Sequence, residues 1–145
     1  MIILICLDDK NGMMFHNRRQ SQDRGLRAYI RQLVGNSKIY MNQYTRKLYR
    51  EFSQACVCED FLFRAQAGDY CLVENQELCP VEDRIEKIIV FRWNKVYPAD
   101  QILDLSLDGW VLENSREFDG STHRILQETY VRENKDHVQC QNQKV

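Results

Sequence analysis

The chain begins with an uninterrupted apolar run, Ile2-Ile3-Leu4-Ile5-Cys6-Leu7. Apolar residues that follow one another without alternation predict a strand buried on both faces, as the central strands of parallel sheets are. Neighbouring parallel strands have to be joined by crossover connections, which are usually helices. We therefore predict that residues 2–8 form a central strand and that the domain belongs to the α/β class.

The segment after this strand concentrates polar side chains immediately before a predicted helix. That helix, over residues 24–33, is indicated by apolar residues at the spacing of one helical face, namely Leu26, Tyr29, Ile30 and Leu33. Ligands of α/β sheets bind outside the carboxyl ends of the strands. The segment between strand and helix is therefore the expected binding site, and its polar residues are Asn17, Arg18, Arg19, Gln20, Ser21 and Asp23.

The rest of the chain alternates predicted strands and helices and ends with two adjacent strands. Asp119-Gly120 is a hairpin turn signal between those two strands. This order predicts one domain over residues 1–132, with a mostly parallel sheet, flanking helices and a C-terminal antiparallel hairpin, followed by a flexible polar tail over 133–145. The other predicted elements are strands at 37–41, 55–58, 70–74, 85–96, 110–118 and 123–132, helices at 46–52 (capped by Thr45) and 60–67, and a loop at 75–83.

The charge balance excludes strong attraction of the whole molecule to polyanions. Twenty basic and twenty-one acidic residues leave a formal charge of −1, so nucleic acid is not indicated as a partner and any anion has to be bound by a local cluster. The first apolar run is too short to span a bilayer and lacks the basic flank of a signal peptide. We therefore expect a cytoplasmic protein with no membrane partner.

The cysteines show neither a CxxC pair nor the paired spacing of a zinc site. There are six of them, Cys6, Cys56, Cys58, Cys71, Cys79 and Cys140. In a cytoplasmic compartment we expect these thiols to be reduced and structural, and we expect no metal site.

Much of the chain resembles dihydrofolate reductase in the order of its elements. Residues 1–33 are similar to that family's first strand, its mobile glycine-methionine loop (here Gly12-Met13) and its helix, and Asp23 stands close to the family's single active-site carboxylate. Residues 37–45 resemble the second strand and the turn with a cofactor-contacting threonine, and residues 108–132 resemble the closing hairpin. The resemblance implies a dihydrofolate-reductase-like sheet.

The sequence departs from that family where the nicotinamide cofactor would bind. Asn42 and Gln43 stand where the family has a glycine and a phosphate-binding arginine. The glycine pair that lets backbone approach the pyrophosphate has no counterpart. The tryptophan expected beside the active-site loop is also missing, because Trp93 is the first tryptophan of the chain. We therefore expect a reduced cofactor half and no nicotinamide cofactor.

The chain also resembles a family of small Firmicutes proteins that share a Gly-Met-x-Phe…Arg-Arg-Gln-Ser-x-Asp segment, here residues 12–23, and often carry the label ribonuclease Z. Metal-activated hydrolysis of that kind needs a histidine-rich cluster that holds two zinc ions. His16, His123 and His137 are far apart in sequence and form no such motif. The sequence does not support zinc-dependent ribonuclease activity.

Arg18, Arg19 and Asp23 each have two interpretations. Guanidinium groups bind phosphate or carboxylate bidentately, whereas a solvated arginine pair would be salt-bridged to Asp8, Asp9 or Asp23. Asp23 is either a proton-relay acid or, as we favour, a helix N-cap. A carboxylate beside two arginines would have a lowered pKa, which is the wrong direction for a general acid.

Four residues of other elements are expected to line the opposite wall of the site, namely Asn42, Thr45, Trp93 and Asn94. An aromatic face beside an amide can stack on a nucleobase and hydrogen-bond to it. For Trp93 the favoured alternative is core packing. His123 shows no acid partner in the sequence and is interpreted as structural.

These observations predict binding without catalysis, with a nucleotide-like or other phosphate-bearing small molecule held by residues 17–23. Two other functions stay open. The same arginine loop would suit an inhibitor or adaptor of a phage or mobile element that engages a macromolecular partner. The third interpretation is a nicotinamide-dependent reductase.

Overall fold

The computed structural model describes residues 1–133, so all but the first residue of the predicted polar tail lies outside the described residues. The strands and helices, in chain order, are β1 (Ile2–Leu7), β2 (Gly12–Phe15), β3 (Arg18–Arg19), α1 (Arg24–Val34), β4 (Ile39–Met41), α2 (Gln43–Leu48), β5 (Ala55–Val57), β6 (Tyr70–Val73), β7 (Lys87–Arg92), β8 (Gln101–Ile102), β9 (Trp110–Asp119) and β10 (Arg124–Arg132).

Seven of the strands form one sheet in the order β5-β4-β6-β1-β7-β10-β9. The first five run parallel, and β10 pairs antiparallel with both β7 and β9. Ile3, Leu4 and Ile5 of β1 are wholly buried, because helices and loops cover both faces of the sheet. The predictions of a central first strand, a mostly parallel sheet and a closing antiparallel hairpin are confirmed.

Helix α1 packs on one face of this sheet through Leu26, Ile30 and Val34, which join a core cluster with Leu4 and Phe91. Asp23 caps the helix and Gly35 ends it with a left-handed φ of 59°. The predicted apolar stripe is therefore confirmed, except that Val34 lies deeper in the core than Leu33. Flanking helices are few, since α2 has only six residues.

The segment predicted to be a polar loop after β1 folds instead as a hairpin of β2 and β3. Its two turn residues, His16 and Asn17, both have left-handed φ angles, 52° and 61°, as a tight two-residue hairpin turn requires. With β8 on the other side of β2, the hairpin forms a second, three-stranded antiparallel sheet.

Three other predicted elements are corrected by the structure. The helix predicted at 46–52 with Thr45 as its cap is α2, which begins three residues earlier because the side chain of Asn42 accepts the backbone N–H of Thr45. The segment 60–67 forms only a 3-10 turn, Phe61–Phe63, although its buried residues Phe61, Leu62 and Ala65 recur at helical spacing. The loop predicted at 75–83 contains a 3-10 helix, Cys79–Arg84, with a proline in its first turn.

The cysteine prediction holds for four residues and fails for one. Cys6, Cys56, Cys58 and Cys71 are free thiols, and burial raises the pKa of Cys71 to about 12. Cys79 is disulfide-bonded. Sequence spacing did not reveal this, because a bridge requires proximity in space and not in sequence. Cys140 lies outside the described residues. Within residues 1–133, no helix has the length and apolar character needed to cross a bilayer.

Candidate functional site

The carboxyl end of β1 is organised by a buried carboxylate, Asp8. It accepts hydrogen bonds from the backbone N–H groups of Gly12, Lys10 and Tyr97 at 2.7, 2.8 and 3.1 Å, and from Nε2 of Gln20 at 3.1 Å. Burial raises the pKa of Asp8, but these hydrogen bonds outweigh it and hold the pKa below its usual value. Asp8 therefore anchors the start of the hairpin.

Arg19 is engaged by a carboxylate that the sequence did not suggest. Its Nε and Nη2 donate to the two carboxylate oxygens of Glu74 at 2.7 and 2.9 Å, and the bond to Glu74 raises the pKa of Arg19. The Arg19 Cζ atom lies 4.4 Å from the ring centroid of Tyr44, whose hydroxyl accepts the Arg19 backbone N–H at 3.0 Å. Glu74 therefore occupies the two donors with which Arg19 would otherwise bind an external anion.

Glu74 continues this contact into a chain of hydrogen bonds along the carboxyl ends of β4 and β6. Thr45 Oγ1 donates to Glu74 Oε1 at 2.9 Å, and the Thr45 backbone N–H donates to Asn42 Oδ1 at 3.0 Å. Asn42 Nδ2 donates to Asn75 Oδ1 at 2.9 Å. The structure thus brings Arg19, Asn42 and Thr45 together as predicted, but their polar atoms bond to one another.

The space between Arg19, Glu74 and Trp93 is nearly filled. A cavity of about 10 Å³ lies there, and Ser21, Cys6, Met13 and Tyr49 are among the other residues that line it. A cavity of that size holds one water at most. Trp93 is 3 % exposed and packs in the core, which is the alternative that the sequence analysis favoured for it.

Asp23 joins the start of α1 to the loop between β9 and β10. Its carboxylate accepts the backbone N–H groups of Leu26, Ser121 and Thr122 at 2.9, 2.8 and 2.7 Å, and the Thr122 hydroxyl at 2.7 Å. Burial raises the pKa of Asp23, but these four bonds outweigh it and hold the pKa far below its usual value. His123 Nδ1, for which the sequence indicated no acid, lies 3.9 Å from Asp23 Oδ2.

Asn94 belongs to the same end of the molecule as Asp23. Its backbone has a left-handed φ of 58°, which ends β7 well before the predicted residue 96. Its side chain donates to the carbonyl of Arg124 at 2.9 Å. Asn94 and Asp23 therefore hold the closing hairpin and do not face the arginine loop.

An open hollow remains beside the hairpin of β2 and β3. It has a volume of about 530 Å³ and is lined by Phe15, His16, Arg18, Arg19, Gln20, Tyr97 and Pro98. Arg18 and Arg19 are adjacent on a strand and project to opposite sides, so Arg18 is exposed while Arg19 is half-buried. Within residues 1–133 no carboxylate pairs with Arg18. Asn17 lies at the adjoining turn.

Gln20 forms the inner boundary of the hollow. Its Nε2 donates to Asp8 and to the carbonyl of Pro98 at 3.3 Å, while its Oε1 is buried and has no hydrogen-bond partner among residues 1–133. Such an acceptor is uncommon in folded proteins, and Gln20 is one of the residues that line the hollow.

Sequence reasoning missed Tyr44 and Glu74. Glu74 directly follows β6, which pairs with β1, so a polar residue at the carboxyl end of a neighbouring strand was the available signal. Tyr44 carried no comparable signal, because its place beside the hairpin depends on contacts far apart in sequence.

No protein-family model matches the chain, and no curated protein is significantly similar to it. Within the part of the chain that the structure describes, no group of three histidine, cysteine, aspartate or glutamate residues is arranged to hold a metal ion. A function has to be inferred from the geometry of the hollow and its surroundings.

Proposed function

We propose that the protein binds a nucleotide-like or other phosphate-bearing small molecule, without turning it over, in the hollow beside the hairpin of β2 and β3. The observation that carries this proposal is Arg18, an exposed guanidinium without a carboxylate partner in residues 1–133, at the mouth of a cavity of about 530 Å³. Cavities of roughly 300–1,000 Å³ are typical of small-molecule sites.

The lining supplies two kinds of contact that a nucleotide needs. Arg18 is suited to a phosphate, since a guanidinium fork matches two phosphate oxygens. Phe15, which is 39 % exposed, and Tyr97 offer apolar ring surface to a base. The free Oε1 of Gln20 offers an acceptor to a base amino or imino group. Together they favour an anionic ligand with an aromatic part.

The absence of turnover is supported by how the remaining polar groups are used. Asp23 accepts four hydrogen bonds and has a strongly lowered pKa, so it is unsuited to donate a proton near neutral pH. Arg19 and Glu74 neutralise each other. The cavity beside Met13 and Trp93 is about 10 Å³, which leaves no space for a substrate ring.

We further propose that the sheet is a dihydrofolate-reductase-like one with a reduced cofactor half. The proposal is supported by the sequence resemblance together with the observed order of a central first strand, the Gly12-Met13 segment, a helix capped by Asp23 and a closing hairpin of β9 and β10. Asn42 caps α2 at the place where that family binds phosphate, and its side chain is occupied by Thr45 and Asn75.

Isothermal titration of the full chain with a panel of nucleoside mono- and triphosphates tests the binding proposal. At least one member is expected to bind, and Arg18→Ala is expected to weaken that binding about tenfold, because a charge-assisted phosphate contact contributes about 1.5–3 kcal/mol. Arg50→Ala removes another exposed arginine outside the hollow and is expected to leave the affinity unchanged.

Two outcomes contradict the proposal. One is that no nucleotide binds, and the other is that Arg18→Ala and Arg50→Ala behave alike. Stoichiometric capture of a macromolecule through the hairpin, lost in Arg18→Ala, would instead favour the inhibitor or adaptor function.

Incubation with a reduced nicotinamide cofactor and a dihydropteridine substrate tests the absence of turnover. We expect no consumption of the cofactor, measured by its absorbance, because the cavity beside Trp93 cannot accept a ring and Asp23 stays ionised. Hydride consumption that disappears in Asp23→Asn would contradict binding without catalysis, provided that circular dichroism shows the variant to be folded.

A further inference from the structure

A second groove, which shares no residue with the hollow, runs between α1 and β9 and has a volume of about 1090 Å³. Four arginines line it, Arg24, Arg27 and Arg31 from α1 and Arg116 from β9. Residues three and four apart on a helix lie on one face. The three helical arginines therefore form a row about 10 Å long.

Most of these guanidinium groups are free of ion pairs. Arg27 approaches Glu51, with 3.9 Å between Nε and Oε1. Within residues 1–133, no carboxylate pairs with Arg24, Arg31 or Arg116. The groove thus holds four arginines against two carboxylates, Glu51 and Asp119, in a chain whose formal charge is −1.

The floor of the groove is aromatic. Tyr29 of α1 and Phe118 of β9 stack with ring centroids 4.0 Å apart and planes inclined by 8°. Arg116 lies over Tyr29, with its Cζ 5.9 Å from the ring centroid, and the Tyr29 hydroxyl is hydrogen-bonded to Gln127. Neither ring is fully buried. The groove therefore presents flat π surface directly beside the row of cations.

We propose that this groove binds single-stranded nucleic acid, with phosphates along the row of Arg24, Arg27 and Arg31 and bases against Arg116, Tyr29 and Phe118. Cationic grooves with aromatic stacking surface are how proteins hold single strands without reading their sequence, and bases also stack on guanidinium planes. A duplex would keep its bases away from the aromatic floor. An acidic peptide would use the arginines alone and leave the rings unused.

Fluorescence anisotropy of the full chain with a labelled oligothymidylate of about twelve nucleotides tests this proposal. Three phosphate contacts predict that log K falls with log salt concentration with a slope of about −2, since each contact on a single strand contributes about −0.7. An abasic oligomer of the same length carries the same phosphates, and we expect it to bind at least tenfold more weakly because stacking is lost.

Single substitutions assign the binding to this groove. Arg31→Gln is expected to weaken binding about five- to tenfold and to lower the salt slope by about 0.7. Arg116→Gln is expected to weaken binding by a similar factor but to leave the salt slope unchanged, because Arg116 contacts a base and no phosphate. Both side chains are exposed, so thermal melting should match the unsubstituted chain. Arg31→Lys retains the charge and is expected to keep the slope. Arg50→Gln removes an exposed arginine that lines neither the groove nor the hollow. It is the matched control and is expected to change nothing.

Four results would overturn the proposal. They are no binding at about 50 mM salt, equal affinity for the abasic oligomer, equal affinity for a duplex or a polyglutamate peptide, and equal weakening by Arg50→Gln. Because the two sites have no residue in common, none of these results bears on nucleotide binding in the hollow.

Discussion

Replacing Asp23 by alanine is expected to lower the free energy of unfolding by about 3 kcal/mol and the midpoint of thermal unfolding by roughly 10 °C. The carboxylate is 2 % exposed and accepts four hydrogen bonds. Its removal uncaps α1, which costs about 1 kcal/mol, and takes the acceptor from the part-buried hydrogen bonds of the Ser121 and Thr122 N–H groups.

Two glycines make this arrangement possible and restrict which side chains can replace Asp23. A Cβ atom on Gly120 would lie 2.7 Å from Asp23 Oδ2, and one on Gly25 would lie 2.9 Å from the backbone nitrogen of Ser121. The backbone at Gly25 and Gly120 therefore packs directly against the Asp23 carboxylate and the hairpin loop, with no space for a side chain. A longer acceptor such as glutamate does not fit there, so Asp23→Glu should recover little of the lost stability.

The pH dependence gives this prediction a second readout. Because the folded state lowers the pKa of Asp23, the unfolded state binds more protons at acid pH, and stability falls with falling pH. The contribution of Asp23 is complete above the unfolded pKa of about 4 and is lost as the pH drops below it. Urea unfolding at several pH values should show a shallower acid loss for Asp23→Ala than for the unsubstituted chain.

Asp9→Asn is the matched control, because Asp9 is an exposed aspartate and the helices of residues 1–133 are capped by Asp23 and Asn42 instead. It should change neither the stability at neutral pH nor the acid slope. Equal effects of the two substitutions, or an unchanged acid slope in Asp23→Ala, would contradict the role that we assign to the Asp23 carboxylate.

Local signals in the sequence were sufficient for the elements that they describe. The apolar run at Ile2, the helical stripe around Leu26, the cap at Asp23 and the turn at Asp119-Gly120 each depend on residues close together in the chain. The hairpin turn at His16-Asn17 contains no glycine, so its left-handed backbone gave no signal.

The candidate site was less predictable, because its partners are far apart in sequence. Arg19 and Glu74 are separated by 55 residues, and their contact follows from the pairing of β6 with β1, an order of strands that local patterns do not contain. The row formed by Arg24, Arg27 and Arg31 was visible as a polar helix face. Its interpretation as part of a binding groove depended on Phe118 and Arg116, which lie beside the helix only in the folded structure.

Replacing Glu74 by leucine is expected to cost about 2–3 kcal/mol of the free energy of unfolding, because it leaves a guanidinium without its partner in a partly desolvated site. The side chains of Arg19 and Glu74 are 22 % and 11 % exposed, so the loss should fall below that of a fully buried pair. The hydroxyl of Thr45, which is wholly buried, also loses its acceptor and adds to the cost.

A double-mutant cycle separates the ion pair from packing. Combining Arg19→Met with Glu74→Leu removes both charges, so the double variant is expected to recover much of the stability lost in Glu74→Leu, with a coupling of about 2 kcal/mol. The pair Arg64–Asp60 has a similar N–O distance of 2.8 Å but is 62 % and 55 % exposed, and its own cycle should give a much smaller coupling because solvent screens it. If the two cycles gave the same coupling, the Arg19 guanidinium would be held no more firmly than a surface arginine. It would then be available to an anion in the hollow together with Arg18. That result would contradict the assignment of Arg19 to the ion pair with Glu74 and of Arg18 alone to the ligand.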